Sequence, residues 1–220
     1  KADDGAYERY AKGTVYWAKL WYADLGDGAC RQLAAWTHEN IVYQVANFKD
    51  YYLSDNSNRR CGMTFIQKET LGRSMALSTS MNNIGGWAKT SLRTYLDSRL
   101  VEALPIGWRQ LIKQVKVSSS AGGRSKEITT SDCYFFIPSA IELDSSMSDE
   151  PYVYEGQTIS FMTNNASRIK HNADGKAVAY YTRSPNVAYE GYFYDVEASG
   201  EVYGFHYPSE ALNVTTMFCV

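Results

Sequence analysis

The order of periodicities along this chain constrains its fold more than any other feature. The clearest helical spacing lies in the middle of the sequence, and strand-like alternation fills the C-terminal part. In "GGWAKTSLRTYLDSRLVEALP", Ala88, Leu92, Tyr95, Leu96, Leu100 and Ala103 recur at the three- and four-residue steps of one helix face, and Pro105 stops the run. In "IGWRQLIKQV", Trp108, Leu111, Ile112 and Val115 repeat the pattern. From Ile128 onward the signals are those of short strands, broken by Gly, Ser and Pro: "EITTSDCYFFIPS", "KAVAYYTRSP", "YFYDVEASGEVYGF" and "LNVTTMFCV". Ser199-Gly200 has the chemistry of a hairpin turn. Helices first and strands afterwards predict an α+β domain built on an antiparallel sheet.

The first part of the chain is read more coarsely. Residues 6–25 carry apolar side chains on most faces, with Gly13 interrupting, and predict one or two short helices. This gives an N-terminal helical segment over 1–25 and one domain over 26–220. "GDGACRQ" reads as a turn, "NIVYQVANF" and "CGMTFIQK" as strands, and "DYYLSDNSNRR" as the loop between them. "SSSAGGRSKE" reads as a flexible loop or hairpin tip and lacks the pattern of a phosphate loop. The acidic segment 139–158 is an unusually long loop, the kind that is functional or mobile.

Composition excludes several classes. At 220 residues and 45% hydrophobic, the chain is large enough to bury a substantial core. A net charge of −2 gives no basic stripe for nucleic acid, and 14% aromatic content argues against disorder. No apolar run reaches the length of a membrane span. Cys30, Cys61, Cys133 and Cys219 form no C-x-x-C pair, and His38, His171 and His206 are scattered, which argues against a structural zinc site. Disulfides and free buried thiols both stay open as readings.

One short stretch is chemically unusual. Between Asn186 and Asn213 lie five tyrosines, five carboxylates and one histidine, with no Lys or Arg. Tyr, Ser, Gly and Asn together form the palette of antibody paratopes, where Tyr supplies contact area at low entropic cost. In "GYFYDVEA", alternation puts Phe193 and Asp195 on one face and Tyr192, Tyr194 and Val196 on the other.

Five stretches, "MNNIGGWAKTSLRTYL" (81–96), "ALPIGWRQLIKQV" (103–115), "SRIKHN" (167–172), "YYTRSP" (180–185) and the final "FCV" (218–220), together give a pattern that resembles the bacterial and phage domain of unknown function numbered 6273. Order and spacing agree from about residue 24 to the last residue. Tyr180-Tyr181-Thr182 stands where that family has Trp-Trp-Leu, and Thr216-Met217 precedes Phe218 where a Pro/Phe-Gly is usual. The resemblance implies a C-type-lectin-like fold: a twisted antiparallel sheet, two main helices and irregular loops. It also implies that the C-terminal loops face a ligand and are closed by a buried terminal strand.

These readings converge on a binding module. The expected ligand-contacting residues are Asn186, Tyr189, Glu190, Tyr192, Tyr194, Tyr203, His206, Tyr207 and Asn213. The expected ligand is a cell-surface protein or glycan, and the expected setting is a bacterial surface, a secreted protein or a phage particle. Neither nucleic acid nor membrane insertion is expected. An enzyme akin to the formylglycine-generating branch, or a structural decoration domain, is the alternative. No cysteine pair matching that enzyme branch is present, and His171 and His206 lack a nucleophile elbow, so no catalytic residue and no cofactor are expected. Sugar-binding calcium patterns are missing too: Glu150-Pro151 is followed by Tyr152, and no W-N-D occurs, so no metal is expected. Arg183 is expected to pair internally. Leu92, Leu96, Leu111, Ile112, Phe193 and Phe218 are expected in the core.

Overall fold

A computed structural model describes residues 15–23, 36–55, 58–104 and 106–220. The N-terminal part holds β1 (Val15–Ala23), β2 (Trp36–Phe48), β3 (Met63–Gln67) and β4 (Ser74–Ala76). A helical run comes next: α1 (Ser91–Tyr95), a π-helical turn (Leu96–Leu100), α2 (Val101–Ala103) and α3 (Ile106–Leu111). Then come β5 (Val115–Gly122), β6 (Ser125–Cys133), β7 (Phe135–Phe136) and α4 (Ala140–Leu143). After α5 (Asn165–Arg168) lie β8 (Lys170–His171), β9 (Ala177–Val178), β10 (Tyr180–Pro185), β11 (Phe193–Val196), β12 (Val202–His206), β13 (Ala211–Asn213) and β14 (Met217–Cys219). The architecture is mixed α+β, with several antiparallel sheets and few helices.

Two five-stranded sheets carry the fold. One has the order β1-β2-β3-β14-β7, the other β12-β11-β10-β13-β4. The β5–β6 hairpin and the short β8–β9 pair complete the set. Phe218 on β14 sits at the centre of the aromatic core, with ring centroids 4.8 Å from Tyr43, 5.2 Å from Phe65, 5.6 Å from Phe135 and 6.2 Å from Trp108. The expected core residues Leu92, Leu96, Ile112, Phe193 and Phe218 are all buried. Cys61 and Cys219 are joined as a disulfide with Cα atoms 5.9 Å apart, and Cys133 is a free buried thiol.

Three expectations need correction. Residues 15–23, read as part of a helical segment, form β1 and pair antiparallel with β2 from Val15–Gln44 to Ala23–Trp36. The sequence "VYWAKLWYA" is rich in aromatic residues, which favour a pleated surface, and its apolar residues lack a single helical stripe. The rest of the expected helical segment and the "GDGACRQ" turn lie outside the described residues. Leu111 is 57% exposed rather than core, because α3 ends there and the chain turns into β5. Ile112 and Val115 are buried through that turn and strand, not through a shared helix face. Of the two readings of 118–127, the hairpin tip holds: the stretch closes the β5–β6 hairpin, and Gly122-Gly123-Arg124 turn at positive φ. The acidic segment 139–158 is not simply a loop. It carries α4, whose Ser139–Glu142 capping box is buried.

Candidate recognition surface

The frame beneath the C-terminal segment is β10, every residue of which is buried. Arg183 projects from it into a site with no solvent access. Its Nη1 lies 2.7 Å from Glu142 Oε2 and donates to Ile137 O at 2.8 Å; its Nη2 lies 3.1 Å from Glu142 Oε1 and also reaches Tyr51 Oη and the Glu155 carbonyl. Its Nε donates to Ser118 O at 3.0 Å. A planar fork with five donors suits such a divergent acceptor set. The internal pairing expected for Arg183 is therefore found, and Glu142 is its carboxylate. Glu155, also buried, accepts from the Ser120 amide at 2.7 Å and from Ser184 Oγ.

Burial pushes the Glu155 carboxyl up to about 7 from an ordinary 4.5, against hydrogen bonds from Ser184 and Ser120 and the charge of Arg183. Burial likewise pushes Asp50 up to about 6 from 3.8. Both groups stay protonated in the folded chain where the unfolded chain has already released the proton. Their contribution to stability is thus complete below the unfolded values and is lost as pH rises toward 6 and 7. Lys170 acts in the opposite sense. Burial lowers it to about 7 from 10.5, so the unfolded chain binds the extra proton above pH 7 and stability climbs with pH there. Urea unfolding midpoints should fall between about pH 4 and 7 and recover toward about pH 10. A midpoint that rises steadily over the acidic range would contradict this.

The loop after β10 is held by a residue that sequence reasoning missed. Asn83 is buried, and its Nδ2 donates to the carbonyls of Asn186, Tyr189 and Tyr192 at 3.0, 3.2 and 2.7 Å. Its Oδ1 accepts from Gly123 N at 2.7 Å. One side chain thus ties the loop 186–192 to the tip of the β5–β6 hairpin. The "SRIKHN" stretch is structural in the same way. Arg168 donates to Gly200 O at 2.9 Å and to Leu143 O at 3.3 Å, and Lys170 Nζ donates to Lys68 O at 2.8 Å.

On this frame the β11–β12 hairpin and the loop before it display a cluster of aromatic rings. Phe205 lies at its centre, with ring centroids 5.3 Å from Tyr189, 5.4 Å from Tyr192 and 5.1 Å from Tyr203. Tyr192 stacks at a tilt on Tyr207, 4.6 Å away, and their hydroxyls are 3.0 Å apart. Tyr189, Tyr203 and Phe205 are 50%, 43% and 44% exposed. Exposed Met81 and Ile84 flank the cluster, since Asn83 N donates to Glu190 O at 2.7 Å and so brings their segment alongside.

The expected site residues therefore divide. Tyr189, Tyr192, Tyr203 and Tyr207 come together, and Glu190 is exposed beside them. Tyr194 does not join. Its ring packs on Tyr152 at 5.1 Å and against Gly204, where any side chain would meet it. Asn186 is buried; its Nδ2 donates to Gly204 O at 2.7 Å and its Oδ1 accepts from the amides of Ala188 and Tyr189, so it shapes the loop rather than facing solvent. Asn213 is a half-buried residue of β13, its Nδ2 donating to Ala179 O at 3.2 Å. His206 is half-buried, with Nδ1 3.0 Å from Asp195 Oδ1 and 3.9 Å from Glu197 Oε1. Burial raises the Asp195 carboxyl to about 7, while His206 pulls it back. Phe205 is the member of the cluster that sequence reasoning missed, although its spacing of two from both Tyr203 and Tyr207 is a signal for it.

The motifs that shape this frame fall within one family match: the model of the family described as "Domain of unknown function (DUF6273)" matches residues 61–220. The chain belongs to this family. All five motif stretches lie inside the DUF6273 match, which begins at residue 61 rather than near residue 24. No curated protein and no solved structure matches the chain. Within the DUF6273 domain, Asn83, Arg168, Lys170 and Arg183 belong to motif stretches and hold the frame, whereas the aromatic cluster lies between motifs. No helix among the described residues is long and apolar enough to cross a membrane.

Proposed function

We propose that this domain is a recognition module that binds a protein partner through the surface formed by Tyr189, Tyr192, Tyr203, Phe205 and Tyr207. The observation that carries this reading is the contact of Phe205 with three exposed or half-exposed tyrosine rings on the solvent side of the hairpin. A contiguous exposed aromatic patch of this kind marks an interaction site more often than chance exposure does. The rings brace one another, so little ordering entropy is lost on binding. Exposed Met81 and Ile84 at the margin favour a protein over a sugar, because aliphatic rims have no hydroxyls to bond. Exposed Glu190, Glu201 and Glu210, with no Lys or Arg from Asn186 to Asn213, favour a basic partner surface.

A C-type-lectin-like architecture belongs to this proposal. The buried β14 and the loop-rich segment before it support it. So does placement on a bacterial surface or a phage particle, for which the Cys61–Cys219 disulfide is the supporting feature, since such bonds persist in oxidising surroundings.

The test is binding of the purified domain to bacterial cells before and after protease or periodate treatment. Protease-sensitive binding is expected; periodate-sensitive binding would replace the protein partner with a glycan. Tyr189→Ala and Phe205→Ala should each weaken binding about tenfold or more, in line with aromatic anchors worth about 2 kcal/mol. Their melting temperatures should change little, because both rings are half-exposed. Tyr194→Ala should do the reverse, lowering stability while sparing affinity. Unchanged binding in both Tyr189→Ala and Phe205→Ala would remove the reading.

A further inference from the structure

We infer that Asp195, Glu197 and His206 form a binding site for a divalent transition-metal ion of the Zn2+ class. The site lies on the inner side of the β11–β12 hairpin, behind the aromatic surface, and does not depend on that surface binding anything.

The hairpin geometry creates it. Phe193 pairs with His206, and Asp195 pairs with Tyr203, so β11 advances two residues where β12 advances three. The extra residue is a bulge, which re-aims side chains and breaks the alternation of the strand. His206, paired with Phe193, stands on the face of Phe193 and Asp195, opposite the one on which its strand neighbours Phe205 and Tyr207 stand. Glu197 stands at the start of the turn, fixed by its amide, which donates to Glu201 O at 2.8 Å. One ligand atom from each of the three side chains lies within 4.8 Å of the others.

The decisive feature is an unmet acceptor at this convergence. Asp195 is fully buried; its Oδ1 faces the His206 ring at 3.0 Å, and its Oδ2 has no hydrogen-bond partner among the described residues. Buried polar atoms are almost always bonded, and a buried carboxylate with one oxygen bare is costly. A histidine–aspartate ion pair would satisfy one oxygen at most. A cation between the three groups would satisfy them together. The spacing fits: a tetrahedral ion with bonds of about 2.0–2.1 Å places its ligands about 3.3 Å apart. The 3.0 Å and 3.9 Å separations from Nδ1 bracket that value. One imidazole and two carboxylates suit zinc and its neighbours, leaving a fourth position for water. Calcium is disfavoured, since it seeks six or more oxygens and here one of three donors is nitrogen.

The experiment uses tag-free, disulfide-intact protein, stripped with a chelator and dialysed, then titrated with ZnCl2 in a calorimeter. One equivalent should bind saturably and raise the melting temperature. Co2+ in its place should give the visible absorption of a tetrahedral nitrogen–oxygen site. Glu197→Gln, at a half-exposed position, and His206→Gln should each weaken binding by at least about tenfold, the lower end of what loss of a supporting group costs a metal site. Circular dichroism melts of the metal-free variants establish that they remain folded. Absence of saturable Zn2+ binding, or equal affinity in Glu197→Gln, His206→Gln and the parent, would overturn the inference.

Discussion

Arg183→Met should lower the unfolding free energy by about 3–5 kcal/mol, the cost of removing one partner from a buried ion pair. Domains of this kind have only about 5–15 kcal/mol in total, so the variant should be marginal or insoluble. The reason lies in what remains. Glu142 would be left without its cationic partner in a site with no solvent access, and the carbonyls of Ser118, Ile137 and Glu155 would lose the donor that Arg183 supplies. These acceptors come from β5, the residue after β7, α4 and the 152–155 turn, so one guanidinium joins four separately folded segments to β10. Arg183→Lys should rescue little, because a single ammonium cannot meet acceptors that diverge around a planar fork. Arg183→Met combined with Glu142→Leu should recover part of the loss, since no buried charge is then left unpaired. Urea denaturation decides the matter: an Arg183→Met midpoint indistinguishable from the parent would show that the pair does not hold these segments.

Gly86→Ala is expected to be similarly damaging. Gly86 adopts φ 55° and ψ −154°, a region open essentially to glycine alone, and occupying it with another residue costs on the order of 1–3 kcal/mol. A methyl group there would also overlap the Ser120 carbonyl oxygen, which cannot retreat without disturbing β5. Gly86 N donates to Asn83 O at 3.0 Å, so the displacement would reach the residue that holds the loop 186–192. Loss of stability and weakened partner binding should therefore appear together. Gly107→Ala is the control. It lies in α3 with nothing within 4 Å of a new Cβ, and it should stabilise by roughly 0.5–1 kcal/mol. If Gly86→Ala melts with the parent, the tight turn does not set the loop geometry.

Local chemistry explains what could be read from the sequence. Leu92, Leu96 and Leu100 announce their buried face because helical spacing is a property of neighbours on one element. Arg183 can be expected to pair internally because it sits in a buried strand run. Glu142 cannot be named as its partner, since 41 residues separate them and the acidic, Ser-rich segment around Glu142 has the composition of a solvated loop. Asn83 is equally hidden: its four bonds reach residues 40 to 109 positions away, and an Asn beside glycines reads as a turn residue. The strand Val15–Ala23 passes for helix because short apolar runs do not fix their own period. At the candidate surface, tyrosine content locates the region, but alternation alone cannot reveal the β12 bulge. That bulge shifts the register between His206, opposite Phe193, and Tyr203, opposite Asp195, and it depends on pairing with another strand.

The position of β14 has a consequence for biosynthesis. Met217–Cys219 runs between β3 and β7, which have no hydrogen bonds to each other and meet only through it. While the chain is being made, both strands wait with open edges for a segment that is translated about 150 residues after β3 begins. Unpaired edges are templates for association with other chains. A nascent or truncated product lacking those three residues would thus expose two sticky borders at its centre, which makes synthesis of β14 a checkpoint for solubility.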